Sequence, residues 1–244
     1  MKTVQVLIVA CIGSFLLFSC NGNFKDRIKG NGKKGQLEKA LTISDKILIS
    51  GKYDVEIIQG NTKSISIIAD ENILPYIIID EKENRLAIRT KDGFAISPTN
   101  TIHLIITTDK LSELSVNGNV DVTSTSTFTG EEYLKLEIVG AGDINLKVNT
   151  PSVNAHIAGT GNMDISGETK NLEIMIDGQG DFNSTQLKAE NVSVTINGTG
   201  DADVFASINL DVQISGSGDV SYLGNPQVKQ HIAGAGKVEP AQNE

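Results

Sequence analysis

The sequence predicts an all-β protein built as a parallel β-helix, or β-solenoid, with coils of about 18–20 residues and a less regular β section at its N-terminal side. Three observations carry this. Gly-x-Gly pairs begin at Gly140, Gly159, Gly178, Gly198, Gly216 and Gly234, at spacings of 19, 19, 20, 18 and 18 residues, and self-similarity at such a period marks a repeat architecture. Two residues before each pair stands an isoleucine: Ile138, Ile157, Ile176, Ile196, Ile214 and Ile232. Four residues before the pairs stand Leu136, Ala155, Ile174, Val194, Val212 and Gln230, six before stand Leu134, Val153, Leu172, Val192, Leu210 and Val228, and the positions between are mostly polar. Alternation of period two gives each segment one buried face, as in a strand. A unit this short cannot bury that face alone, but coils stacked about 4.8 Å apart can.

From the N-terminus, Lys2 precedes an apolar run from Val4 to Phe18 that is broken only by polar Gln5 and Ser14. It falls short of the roughly 20 residues of a membrane span, and its basic start and small-residue end read as a signal peptide over residues 1–19. Ser19 before Cys20 resembles a bacterial lipobox, which implies a diacylglycerol thioether on Cys20 as the mature N-terminus. Cys11 lies inside the leader, so no thiol remains for a disulfide, a zinc site or a nucleophile. Residues 20–36 carry Gly22, Gly30, Gly32 and Gly35 among Lys25, Arg27, Lys29, Lys33 and Lys34, with almost no apolar content. They read as a flexible tether, solvated or touching anionic headgroups.

Residues 37–240 read as one domain. Its first part, 37–110, holds a faint copy of the corner in Ile47, Ile49, Gly51, Asp54, Val55 and Ile57, with Tyr53 in place of the second glycine. Strand-like runs follow at Ser64–Ala69, Ile77–Ile79, Arg85–Arg89 and Ile102–Thr107. The regular coils occupy 111–240 and open with Val116, Gly118, Asp121 and Val122, where Val120 replaces the second glycine. After each Gly-x-Gly a second inward column begins with Ile144, Met163, Phe182, Ala202, Val220 and Val238, followed by Leu146, Ile165, Ser184, Val204 and Tyr222. The glycines are expected to supply φ > 0 and to leave room under the neighbouring coil. Pro240 is placed to stop further strand pairing.

The net charge of −9 excludes a general nucleic-acid binder, and an aromatic content of 5% without Trp leaves few stacking platforms. The charge is uneven, net +2 over residues 21–110 and −12 over 111–244. Directly after the glycine pairs come Asp143, Asn162, Asp181, Asp201, Asp219 and Lys237. Carboxylates stacked at coil spacing repel, by about 1 kcal/mol per neighbour in water and more in a poorer dielectric. Calcium on Asp143, Asp181, Asp201 and Asp219 is one relief, although the nine-residue spacing of calcium-binding solenoids is missing. Hydrogen bonding of the carboxylates to turn amides suffices without it. His156 and His231 share an outward column four coils apart, about 19 Å, too far to share a metal, and His103 is isolated.

Parallel β-helices also host polysaccharide lyases and hydrolases, which need paired carboxylates or a base with cationic neighbours. Here the solenoid has no Arg and few Lys, and an acidic or amide residue recurs coil after coil, as a structural role requires. No catalytic residue and no cofactor is assigned. Ligand recognition is assigned to the outward polar columns and to the loops Asn149–Ser152 and Thr185–Asn191, where coil lengths vary.

The serial Ile-x-Gly-x-Gly-Asp motif, the lipobox and the opening Ile49-Ser50-Gly51-Lys52-Tyr53-Asp54-Val55-Glu56-Ile57 together resemble the bacterial GIN-domain family, the auto-transporter adhesin heads. The resemblance implies a right-handed β-helix, export to the envelope and an adhesion or scaffolding role, and it supplies no catalytic residue. The expectation is therefore a non-enzymatic lipoprotein of the bacterial outer membrane, with the outer surface and the periplasmic face both open to it. Its partners would be the membrane, through lipid on Cys20, and a host or envelope glycan or protein. A carbohydrate-active enzyme and a periplasmic sensor or scaffold partner are the alternatives.

Overall fold

The computed structural model describes residues 26–42 and 45–241; the leader and Cys20 lie outside them. The alternating columns form two parallel ladders. On the first face, segments of Lys46–Gln59 and Glu113–Thr129 are followed in register by Tyr133–Gly140, Ser152–Gly159 and the later coils as far as Gln227–Ile232. Ile138, Ile157, Ile176, Ile196, Ile214 and Ile232 stand directly on one another. All but the last are buried. On the second face Ile144, Met163, Phe182, Ala202, Val220 and Val238 stack in the same way. The two inward columns meet in one continuous apolar core.

The glycine pairs are needed for a reason only partly anticipated. Of the six pairs only Gly140 has a left-handed φ, at 138°. The others are glycine because of close approach: a Cβ on Gly159, Gly178, Gly198, Gly216 or Gly234 would run into the carbonyl oxygen of the corresponding glycine one coil earlier. That same oxygen accepts a rung bond through the corner, from Thr160 N to Gly140 O at 2.8 Å, Gln179 N to Gly159 O at 2.8 Å and Thr199 N to Gly178 O at 2.9 Å. The ladder thus continues around the bend, at a spacing that admits no side chain.

The N-terminal section is continuous with the coils and caps them. The second half of Lys46–Gln59 pairs in parallel with His103–Thr108, which pairs antiparallel with Ser64–Asp70, which in turn pairs antiparallel with Lys34–Ala40. The first half is covered by Arg85–Thr90, itself antiparallel to Ile77–Lys82. Of the stretch 20–36 assigned to a flexible tether, the described residues 26–36 are built into the cap instead. Asp26–Lys29 pairs in parallel with Phe94–Ser97, and the strand Lys34–Ala40 already includes the last residues of that stretch. Buried Asp70 fixes this segment, accepting Gly32 N on Oδ1 and Thr99 N on Oδ2, both at 2.8 Å. At the other end Val228 is 40% exposed. Pro240 faces Tyr222 in the last rung without an N–H to donate onward.

Candidate functional site

The corner residues form a ladder of side chain to backbone bonds. Oδ1 of Asp121 accepts Asp143 N, Asp143 accepts Asn162 N at 2.7 Å and Asn162 accepts Asp181 N at 3.0 Å. Asp181 accepts Asp201 N at 2.9 Å, Asp201 accepts Asp219 N at 2.7 Å and Asp219 accepts Lys237 N at 2.9 Å. The bonds run forward to the next coil rather than back into each residue's own turn. One oxygen of each calcium candidate, Asp143, Asp181, Asp201 and Asp219, is therefore engaged by an amide that offsets its charge. Lys237 ends the column, with Nζ 3.8 Å from Asp219. Among the described residues no three His, Cys, Asp or Glu side chains group to hold a metal ion.

A second line crosses the outside of the first face. Ser115 Oγ donates to Glu137 Oε2 at 3.0 Å, Glu137 Oε1 lies 3.6 Å from His156 Nδ1, and His156 Nε2 lies 2.8 Å from Asp177 Oδ2. Asn197 Nδ2 donates to Asp177 Oδ1 at 2.7 Å. His156 is thus more than a lone surface histidine: its column sets it over Glu137, and Asp177 reaches it diagonally. The hydrogen bond from Asn197, then that with His156, holds Asp177 below its ordinary carboxylate value. Burial alone would raise Glu137, but Ser115, Lys135 and His156 outweigh it and lower it. The arrangement contains a serine, a histidine and carboxylates without the relay of a hydrolase. The Ser115 hydroxyl is committed to Glu137, and among the described residues no nucleophile is hydrogen-bonded to the imidazole. His231 is exposed at the last coil. His103 Nδ1 lies 3.6 Å from Asp54 on the N-terminal cap.

The third feature is an open groove of about 670 Å3 where the chain leaves the second face and returns to the first. Both loops expected to vary in length contribute, through Asn149, Thr150 and Pro151 and through Lys188, Ala189 and Glu190, joined by Glu168, Lys170 and Phe205. Its origin is a step in coil length. Ser184 pairs with Val204 while Ala189 pairs with Ala206, so the earlier coil carries three more residues here and bulges beyond the shorter one. Sequence reasoning missed Phe205, whose signal is an apolar residue at an outward position between inward Val204 and Ala206. An asparagine ladder borders the groove, Asn191 Nδ2 donating to Asn171 Oδ1 at 3.1 Å and Asn209 Nδ2 to Asn191 Oδ1 at 2.7 Å. A smaller hollow of about 260 Å3 adjoins it, lined by Lys147, Asp164, Asn183 and Gln186 among others.

Comparison with known proteins gives a consistent picture. The profile of the family described as "Putative auto-transporter adhesin, head GIN domain" matches residues 45–226. No curated protein matches the chain. A crystal structure described as a "putative adhesin" from Bacteroides fragilis superposes with a TM-score of 0.80 at 19% identity, covering 88% of this chain and 100% of that one. A "putative lipid binding protein" from Parabacteroides distasonis gives 0.74 at 21% identity, covering 89% and 100%. A "putative adhesin" from the same organism gives 0.69 at 25% identity, covering 88% and 100%.

Proposed function

We propose, from the premise that the chain belongs to the auto-transporter adhesin head GIN-domain family, that its solenoid is a non-catalytic binding module of the adhesin kind. Lipid on Cys20 would hold it at the outer membrane, with the solenoid facing outward. The observation that carries the reading is how the solenoid's polar groups are used. The corner carboxylates each hold the next coil's amide, and the Ser115–Asn197 line satisfies itself from coil to coil. The groove at the coil-length step is where polar side chains instead stand open around an aromatic ring. A rigid stack that holds such a surface clear of the membrane has the form of a binding head.

The test is protease accessibility of the full-length protein on intact cells, compared with lysed cells and with a Cys20→Ala version. The reading expects digestion on intact cells and release of the Cys20→Ala protein into soluble fractions. Full protection until lysis would remove adhesion at the cell surface and leave a partner inside the envelope.

A further inference from the structure

We infer that the groove at the coil-length step is a binding site for an uncharged, extended glycan lying along the solenoid axis. The inference rests on the reading of the solenoid as a binding module and names its site and ligand class. Of the six lysines in the acidic half, Lys135, Lys229 and Lys237 each bridge a carboxylate. Lys147, Lys170 and Lys188 make no ion pair among the described residues, and all three line the groove or the hollow beside it.

The groove carries Lys170 and Lys188 against Glu168 and Glu190, hence no net charge, within a half of net charge −12. A polyanion would be repelled by the surrounding field, and a polycation would find stronger attraction elsewhere on the same surface. A neutral chain of hydroxyl groups meets neither obstacle. It also uses both signs, because each hydroxyl donates one hydrogen bond and accepts others. Glu168 and Lys188 occupy the same position on adjacent coils, so an acceptor and a donor lie side by side at about 4.8 Å.

Asn149, Glu168 and Lys188 stand on successive rungs, and Ser207 belongs to the following coil. The lining therefore extends over about 14 Å, the scale of a short oligosaccharide. Half-buried Phe205 supplies an apolar face of the kind that packs on a pyranose ring, and the groove is open enough for a chain to pass through.

The test is an array of short gluco-, manno- and galacto-oligosaccharides, with oligogalacturonate as the anionic counterpart, probed with the mature protein. Capture of at least one neutral oligosaccharide, unaffected by added salt, is expected. Phe205→Ala should weaken it about tenfold and Lys188→Ala or Glu168→Gln several-fold, with unchanged circular dichroism. Met175→Ala, on the first face, should leave it intact. Retention of oligogalacturonate in preference, salt-sensitive capture, or Phe205→Ala binding like the wild type would overturn the inference. If no sugar is captured while the wild-type protein and Phe205→Ala adhere equally to whole cells or matrix, this site falls and the binding module stands. If the protein adheres to nothing, both fall.

Discussion

Gly180→Ala isolates the reason for the glycine pairs. Gly180 lies outside the left-handed region, so alanine meets no backbone penalty there. What it meets is the coil beneath. A methyl group on Gly180 would overlap the carbonyl oxygen of Gly161, and it would stand 2.9 Å from the carbonyl carbon and 3.0 Å from Ile157 Cγ2. Carbon pairs rest at about 3.5–4.0 Å, and the overlap with the carbonyl oxygen is closer still, so the coils must part by more than about 1 Å. Overpacking of this kind costs about 1–3 kcal/mol. Parting the coils also stretches the bonds from Gln179 N and Gly180 N to Gly159 O, now 2.8 and 3.2 Å long, at about 1 kcal/mol for each one lost. The expected loss is about 3–5 kcal/mol, a large part of a typical stability of about 5–15 kcal/mol. Gly130→Ala is the control: its φ is 93° and no atom lies within 4 Å of the added methyl, so it bears only the backbone strain, about 1–2 kcal/mol. Urea unfolding followed by far-UV circular dichroism should place the Gly180→Ala midpoint about 1 M below wild type and Gly130→Ala between them. Because repeat arrays can open coil by coil, amide exchange should quicken first around Gly161 and Gly180. A Gly180→Ala midpoint at or above that of Gly130→Ala would refute close approach as the cause.

Other expectations follow from the same geometry. Asn162 already serves in the corner column, so Asp201→Asn should hold stability within about 0.5 kcal/mol, whereas Asp201→Ala should cost about 1 kcal/mol; equal losses in urea unfolding would remove the amide-accepting role. Asp177 and Glu137 are held below their ordinary values of 3.8 and 4.5 in the folded protein, so they bind fewer protons folded than unfolded. Their contribution is complete above about pH 4.5 and fades as pH falls through the lowered folded values. The melting temperature of Asp177→Asn should therefore fall less steeply with acid than that of wild type, and parallel curves would contradict this. Millimolar calcium should leave the melting temperature unchanged, because each corner carboxylate already holds an amide; a calcium-dependent rise abolished by Asp201→Asn would revive the cation site.

The repeat was legible because its columns are strict. An isoleucine that recurs two residues before each glycine pair fixes the register of the coils, and both inward faces follow by counting in twos. What could not be read was anything set by the distance between coils. The glycines look alike whether they supply φ > 0 or space, and only the stacked backbone shows that every glycine of the pairs needs the space, Gly140 needing the positive φ as well. An aspartate at a turn reads as a cap on its own turn, and its bond to the next coil needs the stack to exist. The strands Asp26–Lys29 and Lys34–Ala40 escaped because they are polar and short, and their partners, Phe94–Ser97 and Ser64–Asp70, lie tens of residues away. Of the groove, the loops at Asn149 and Thr185 were visible as changes in spacing. Phe205 was not, since a single outward aromatic carries no period.

The central claim is that the solenoid binds without catalysing. The measurement that bears on it most directly is incubation of the mature protein with purified envelope and host polysaccharides, assayed together for retention and for new reducing ends or unsaturated products. The account predicts retention with no product at any time point. Product that accumulates with time and disappears on replacing His156 or a corner aspartate would contradict it.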